Sequence, residues 1–323
     1  MTTPIRIGLL GASKIARGAV IAPAKGDARF ALTAVAARDP ARAHAYAAEH
    51  GVAAVAADYA ELVRREDVDV VYNALPPAGH AEWTIAALEA GKAVLCEKPF
   101  ARDADEARIM VAAAERTGGL LIEAFHYRFH NVMRRAEGLL AAGAIGRVTG
   151  AAAEFHVTIK RTPGELRWSA EQGGGGLMDL GCYPLHALRT LLKAEPLVGG
   201  ARAMFEGGVD SDLSADLLFP GGVKASIACS MTPPTFSAWL RLEGEAGILE
   251  IQNFLAPQMG CRFTTTVDGR VTQHPTEGKT TYAAQLDHLH AVMSGADTPL
   301  TGGVDAIANM SAIDAIYLAA GRP

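Results

Sequence analysis

Between residues 5 and 122 short apolar runs alternate with stretches of helical period, and this alternation narrows the possible folds more than any other feature. IRIGLL at 5–10, FALTAVAA at 30–37, VDVVYNA at 68–74, KAVLC at 92–96 and residues 119–122 read as strands. Residues 14–24, 40–49, the run HAEWTIAALEA and residues 103–116 read as helices between them. Asp39 and Pro40 supply a cap and a first turn for the second helix, and Gly91 suits the left-handed position past the third. Strands separated by helices of this length become parallel neighbours joined by crossovers. The expectation is an α/β, doubly wound parallel sheet.

Further along the pattern changes. Strand-like runs at 147–159, 197–206, 212–219, 223–232, 236–243, 247–251 and near 260–267 follow one another, with glycine turns such as PGGV at 220–223 and GEAG at 244–247. Helical patterns flank them near 130–142 and at 281–293 and 304–319. Grouped strands predict an antiparallel sheet, so this half is α+β. A chain of 323 residues exceeds what one core usually spans. The expected division is residues 1–125 and 126–323.

Ligands of a doubly wound sheet bind beyond the carboxyl ends of its strands. In the first such loop, GLLGASKIA at 8–16, Gly11, Ser13 and Ala16 fall where a G-x-G-x-x-A turn places its small residues. Gly11 permits the tight turn, Ser13 lets the backbone approach a phosphate, and Ala16 permits close helix packing. The N–H groups around Ala12, Lys14 and Ile15 then face a pyrophosphate. After the second strand come Ala37, Arg38 and Asp39, where NAD sites usually carry an acidic residue. A guanidinium at Arg38 suits a 2′-phosphate, which favours NADP over NAD, although Asp39 is either a ribose acceptor or a helix cap. The third loop, NALPPAGH at 73–80, sets Leu75, Pro76 and Pro77 as a stiff wall, with His80 as a cofactor contact or a polar residue of the first helical turn. The fourth, CEKPF at 96–100, holds Glu97 and Lys98 at a strand end, where Lys98 points into the crevice or lies on the surface.

Four blocks together carry a resemblance. They are the glycine loop, LPPAGHAEWTIAALEAGKAVLCEKP at 75–99, EAFHYRFH at 123–130, and RWSAEQGGGGLMDLGCYPLH at 167–186. In this order they make the chain look like the glucose–fructose oxidoreductase / inositol dehydrogenase / rhizopine-catabolism family. The resemblance implies a Rossmann domain, a second domain on a large open sheet, and hydride transfer between NAD(P) and a sugar, inositol or related polyol. It maps the family lysine onto Lys98 and its aspartate onto Asp179. Where many members place a histidine four residues after that aspartate, this chain has Tyr183. That departure resembles the branch of glucose–fructose oxidoreductase, dimeric dihydrodiol dehydrogenase and certain sugar dehydrogenases, and points to tyrosine as acid/base. Arg128, Arg167 and Trp168 resemble positions lining the cofactor or substrate pocket. A homodimer or homotetramer through the second sheet follows by the same analogy.

The residues themselves allow this chemistry. Asp179, Tyr183 and His186 stand at i, i+4 and i+7, on one face of a helix. Carbonyl reduction needs a proton for the developing alkoxide. A tyrosine with an ordinary pKa near 10 becomes a better acid/base beside an ammonium such as that of Lys98. Asp179 would bind a substrate hydroxyl or orient the lysine, and His186 would be a second polyol contact. A core tyrosine, a capping aspartate and a structural histidine are the plain alternatives. Pro184 cannot donate to the preceding turn, which predicts a loosened or kinked helix start. A regulatory sensor of the same fold would need neither Lys98 nor Tyr183, and a third possibility is a tightly held cofactor that cycles between two sugars.

Composition excludes other classes. A formal charge of −5 without a basic run argues against nucleic acid, and half the residues being hydrophobic argues against disorder. Cys96, Cys182, Cys229 and Cys261 are scattered, as in buried free thiols of a reducing compartment. Without a signal-like N-terminus or a bilayer-length apolar run, a cytoplasmic protein is expected. Asp287, His288 and His290 do not converge on one helical face, so no metal is expected.

Overall fold

The computed structural model describes residues 3–322. The chain forms two compact units, Met1–His126 with Tyr282–Ile307, and Tyr127–Thr281 with Ala308–Pro323.

The first unit opens with β1 (Ile5–Leu10) and a helix, α1, over residues 14–24. Then come β2 (Phe30–Ala36), α2 (Pro40–His50), β3 (Ala54–Val55), α3 (Tyr59–Arg64) and β4 (Val70–Asn73). The series continues with α4 (His80–Glu89), β5 (Ala93–Cys96), α5 (Ala104–Thr117) and β6 (Leu121–Glu123). The sheet is parallel, in the order β3-β2-β1-β4-β5-β6. Leu9, Leu10, Val35, Val70, Val71 and Val94 are fully buried, as apolar strands covered on both faces must be. The order reverses direction at β1 and β4, and their carboxyl ends are therefore the ligand-binding address of such a sheet.

Two elements, β3 and α3, go beyond the sequence reading. The second had a legible start, because Asp58 accepts from the Glu61 N–H and Glu61 Oε2 accepts from the Ala57 N–H at 2.7 Å. The pattern resembles a capping box with aspartate in the serine position, except that the glutamate accepts from the residue before the cap.

The second unit contains α6 (Asn131–Ala141), β7 (Val148–His156) and α7 (Cys182–Leu192). The strands β8 (Leu197–Glu206), β9 (Val209–Phe219), β10 (Val223–Ser230), β11 (Ser237–Gly244), β12 (Gly247–Gln252), β13 (Arg262–Val267) and β14 (Arg270–Gln273) follow. Two more helices follow in the chain, α8 (Thr281–Met293), which after its first residue belongs to the first unit, and α9 (Gly303–Ala319), which is divided between the two. The eight-stranded sheet runs β14-β13-β12-β11-β7-β10-β9-β8 and is antiparallel except where β7 meets β10. In β9 and β10 buried and exposed residues alternate, so one face packs inward, toward α7, while the other is open. β14 is a wholly exposed edge strand absent from the sequence reading. The signal for it was Asp268-Gly269, both at positive φ, a pair that favours tight hairpins. Among the described residues no helix is long and apolar enough to cross a membrane.

Candidate active site

In the first unit the glycine loop is built as a cradle. Gly11 has φ +90, its N–H donates to Ala36 O at 2.8 Å, and a Cβ there would meet Leu75 Cδ2 at 3.3 Å and Ala74 O at 3.6 Å. Ser13 is the N-cap of α1, its Oγ accepting from the Ala16 N–H at 3.2 Å. The first N–H groups of a helix, here those of Lys14 and Ile15, have no intrahelical acceptor. Helix α2 holds the loop from behind: Arg42 Nη2 donates to Ala12 O at 2.7 Å and the Tyr46 hydroxyl to Ser13 O at 2.8 Å. Neither contact was anticipated, although both residues lie on the helix that follows the loop's neighbour.

Asp39 is a cap. Its Oδ1 accepts from Ala41 and Arg42 N–H groups at the start of α2. Arg38 is exposed beside it, near enough to Tyr59 for its charge to oppose the rise that burial gives that phenol's pKa.

His80 is buried and serves the backbone. Its Nε2 lies 2.8 Å from Leu75 O and its Nδ1 3.0 Å from Pro99 O, and burial pushes its pKa down. One imidazole thus ties the loop after β4, with Leu75 and Pro76, to the loop after β5. In that second loop Glu97 is buried, and its Oε1 accepts from the Tyr72 hydroxyl at 2.5 Å. Lys98 follows, half-buried, two residues beyond β5. Close by is His126, whose ring lies tilted against that of Tyr282, with centroids 4.1 Å apart and planes at 37°. Burial, and then the Lys98 ammonium, push its pKa down to about 3, so the ring is neutral across the working range. In the sequence His126 stands within EAFHYRFH with nothing local to mark a role for it.

In the second unit the run Gly173–Gly176 leads into a π turn over Leu177–Gly181 and then α7. Pro184, with no N–H, follows the wide turn as expected. A Cβ on Gly175, φ +128, would lie 2.3 Å from Asp210 Oδ1 and 2.8 Å from the Tyr317 hydroxyl. Asp210 is fully buried, accepting from the Leu177 N–H and the Tyr317 hydroxyl, each at 2.7 Å. Nothing local in the sequence marked it.

Asp179 lies in the π turn, and Arg167 Nε donates to its Oδ2 at 2.6 Å while Nη1 donates to Glu165 at 2.9 Å. These carboxylates, Asp179 first, raise the arginine's pKa. Tyr183 is 6 % exposed, edge-on to Tyr127 and Phe155. His186 is 1 % exposed, its Nδ1 2.5 Å from the Tyr127 hydroxyl. Arg128 makes two 2.8 Å hydrogen bonds to Glu137. Trp168 donates from Nε1 to Ile159 O at 3.1 Å under the guanidinium of Arg161. Among the described residues no group of three or more His, Cys, Asp or Glu is placed to hold a metal. Asp287, His288 and His290 engage Arg29, Asp297 and Phe30 respectively.

Two family models match in sequence order. Residues 5–125 match the oxidoreductase family with an NAD-binding Rossmann fold, and residues 133–250 match the GFO/IDH/MocA C-terminal domain. The chain belongs to the GFO/IDH/MocA oxidoreductase family. It is 31% identical to the D-xylose 1-dehydrogenase (NADP(+)) 2 of Haloferax volcanii over 96% of this chain and 95% of that one. It is 34% identical to the trans-1,2-dihydrobenzene-1,2-diol dehydrogenase of Mus musculus, over 78% of this chain and 76% of that one. Among solved structures, the aldose-aldose oxidoreductase of Caulobacter crescentus with glycerol superposes with a TM-score of 0.90 at 28% identity, covering 98% of each chain. KijD10, a 3-ketoreductase from Actinomadura kijaniata in complex with NADP and TDP-benzene, does so with a TM-score of 0.89, also at 28% identity and 98% of each chain.

Proposed function

We propose that the protein is an NADP(H)-dependent oxidoreductase acting on a CH–OH or C=O group of a sugar, cyclic polyol or dihydrodiol. The first unit binds the dinucleotide, and the second binds substrate and carries the contacts between subunits. The observation that carries the reading is the address of Lys98: just beyond β5, its preceding residue pinned to Tyr72, its ammonium beside a neutral histidine.

The cofactor reading rests on a cradle that a side chain on Gly11 would narrow, on α1 N–H groups suited to phosphate, and on Arg38. With Asp39 engaged as a cap, Arg38 is the residue left to read a 2′-phosphate, and relatives named for NADP support this choice. Leu75, Pro76 and Glu97 would shape the nicotinamide end, with His80 fixing the loops around them. When bound, the nicotinamide supplies or accepts the hydride.

Tyr183 is the acid/base: its hydroxyl gives a proton to the developing alkoxide in reduction and takes one from the alcohol in oxidation. Lys98 supplies an ammonium that donates a hydrogen bond to the reacting oxygen. Asp179, oriented by Arg167, accepts from a substrate hydroxyl. Subunits pair through the open face of the eight-stranded sheet, where Leu197, Met204 and Leu218 are exposed.

Tyr183→Phe and Lys98→Met should each lower kcat by roughly 10²-fold or more, the range of a positioned acid/base. The measurement is absorbance of the reduced nicotinamide across aldoses, ketoses, inositols and diols, with both cofactors offered. Near-normal turnover in both variants, with cofactor still bound, would end the assignment.

A further inference from the structure

A tyrosine that moves a proton must hold its hydroxyl to within a fraction of an ångström. Tyr183 has two aromatic neighbours that set its ring plane, Phe155 at 5.8 Å and Tyr127 at 5.9 Å, both edge-to-face. Tyr127 is itself held on every side. It is fully buried and edge-on to Phe254 at 5.5 Å and to His186 at 5.8 Å, with its hydroxyl 2.5 Å from His186 Nδ1. His186 stands three residues after Tyr183, nearly one helical turn along α7. The hydrogen bond therefore joins the ring that abuts Tyr183 to the helix that carries it.

We propose that the Tyr127–His186 pair is a positioning device for Tyr183, an inference that rests on Tyr183 being the acid/base. Burial of His186 favours this over a direct polyol contact, since a 1 % exposed imidazole bonded to a tyrosine has little surface to offer a sugar. A buried polar pair also has a definite geometry, which apolar packing alone does not impose: a sliding ring breaks the Tyr127–His186 hydrogen bond. Tyr127 and His186 touch no reacting atom and act through the orientation of Tyr183.

The test uses the full-length protein and whichever substrate gives the strongest signal. Tyr127→Phe keeps the ring edges and removes the hydroxyl, and it should lower kcat by roughly 10-fold to 10²-fold, as misplacement of a catalytic group does. KM and cofactor affinity, the latter read by fluorescence titration without turnover, should stay within a factor of two or so. His186→Asn, which keeps an acceptor near the Nδ1 position, should retain most of the activity, whereas His186→Leu should behave like Tyr127→Phe. Should either single variant fold poorly, Tyr127→Phe with His186→Leu removes both polar groups at once. This double variant should show the same kcat loss, because the pair works as a unit. In a Tyr183→Phe background none of these changes should lower the residual rate further. Unaltered kcat in Tyr127→Phe, or equal losses in His186→Asn and His186→Leu, would overturn the proposal. If Tyr183→Phe itself remains active, the assignment of Tyr183 has failed, a result distinct from failure of the pair.

Discussion

Each unit starts a helix from a glycine turn, widens it into a π turn, and meets a proline shortly afterwards. In the first the wide turn is Arg17–Ile21 ahead of Pro23, and in the second it is Leu177–Gly181 ahead of Pro184. A proline withholds one N–H from the i→i+4 ladder, and a turn closed i→i+5 just before it accommodates the gap. The resemblance ends at the glycines. Gly11 faces mainly the tip of a flexible leucine, whereas Gly175 faces a buried carboxylate and a buried hydroxyl. The helix after Gly11 begins with a neutral serine cap and leaves donors for an anion from outside. The helix after Gly175 has its own anion, Asp210. In the proposed reading one turn receives a ligand, while the other is filled by the protein's own groups.

The largest effect expected from this contrast is on Gly175→Ala. Overpacking at a site with no give costs about 3 kcal/mol, and φ +128 adds backbone strain. At roughly 2–4 °C per kcal/mol for domains of this size, the melting temperature should fall by about 6–12 °C. Gly11→Ala should cost the apoprotein less than half of that, yet weaken NADP⁺ more than Gly175→Ala does. Calorimetry and a cofactor titration on both variants measure the two axes. Equal melting temperatures in the two variants would erase the distinction.

The two turns were unequally legible in the sequence. Gly11, Ser13 and Ala16 follow a spacing that reports a mechanism, so the first loop could be read with its helix, its neighbouring strand and its cap. Most of the strands around it were legible for the same local reason, whereas the two-residue β3 offered too short a run to read. The second turn depends on partners far along the chain: Asp210 lies 33 residues from Leu177, and Tyr317 a further 107 from Asp210. His186 illustrates the same limit. Helical spacing placed it beside Tyr183, but only tertiary structure pairs it with Tyr127, 59 residues away. Asp179 was visible as a polar residue after glycines, and its ion pair with Arg167 was not.

Arg38 sharpens the ligand side of the comparison. Losing a charged hydrogen bond of about 1.5–3 kcal/mol should weaken NADP⁺ binding roughly 10-fold to 150-fold in Arg38→Ala, with NAD⁺ little changed. Asp39→Asn, which keeps a capping oxygen for Ala41 and Arg42, should leave that preference intact. A parallel fall in both affinities on Arg38→Ala would mean that the arginine does not read the 2′-phosphate.

The smallest effect concerns the internal anion and is read in its pH dependence. Burial holds the Asp210 carboxyl above its ordinary range, while hydrogen bonds from Tyr317 and the Leu177 N–H oppose that rise. A carboxyl whose pKa is higher in the folded chain favours folding most below its unfolded value, near 3.9, and that contribution is lost as pH climbs through the raised folded value. Asparagine does not titrate. The stability of the wild type relative to Asp210→Asn should therefore decline as pH rises from below 3.9, by about 1.4 kcal/mol for each unit by which the pKa is raised, and then level off. Ser13→Ala is the matching change in the first unit. Loss of that cap should cost about 1 kcal/mol at every pH, because a hydroxyl carries no charge to lose. Chemical denaturation over a pH series separates the two cases. A sloping Ser13→Ala difference, or a flat one for Asp210→Asn, would mean that the charge at the second helix start is not what distinguishes it from the first.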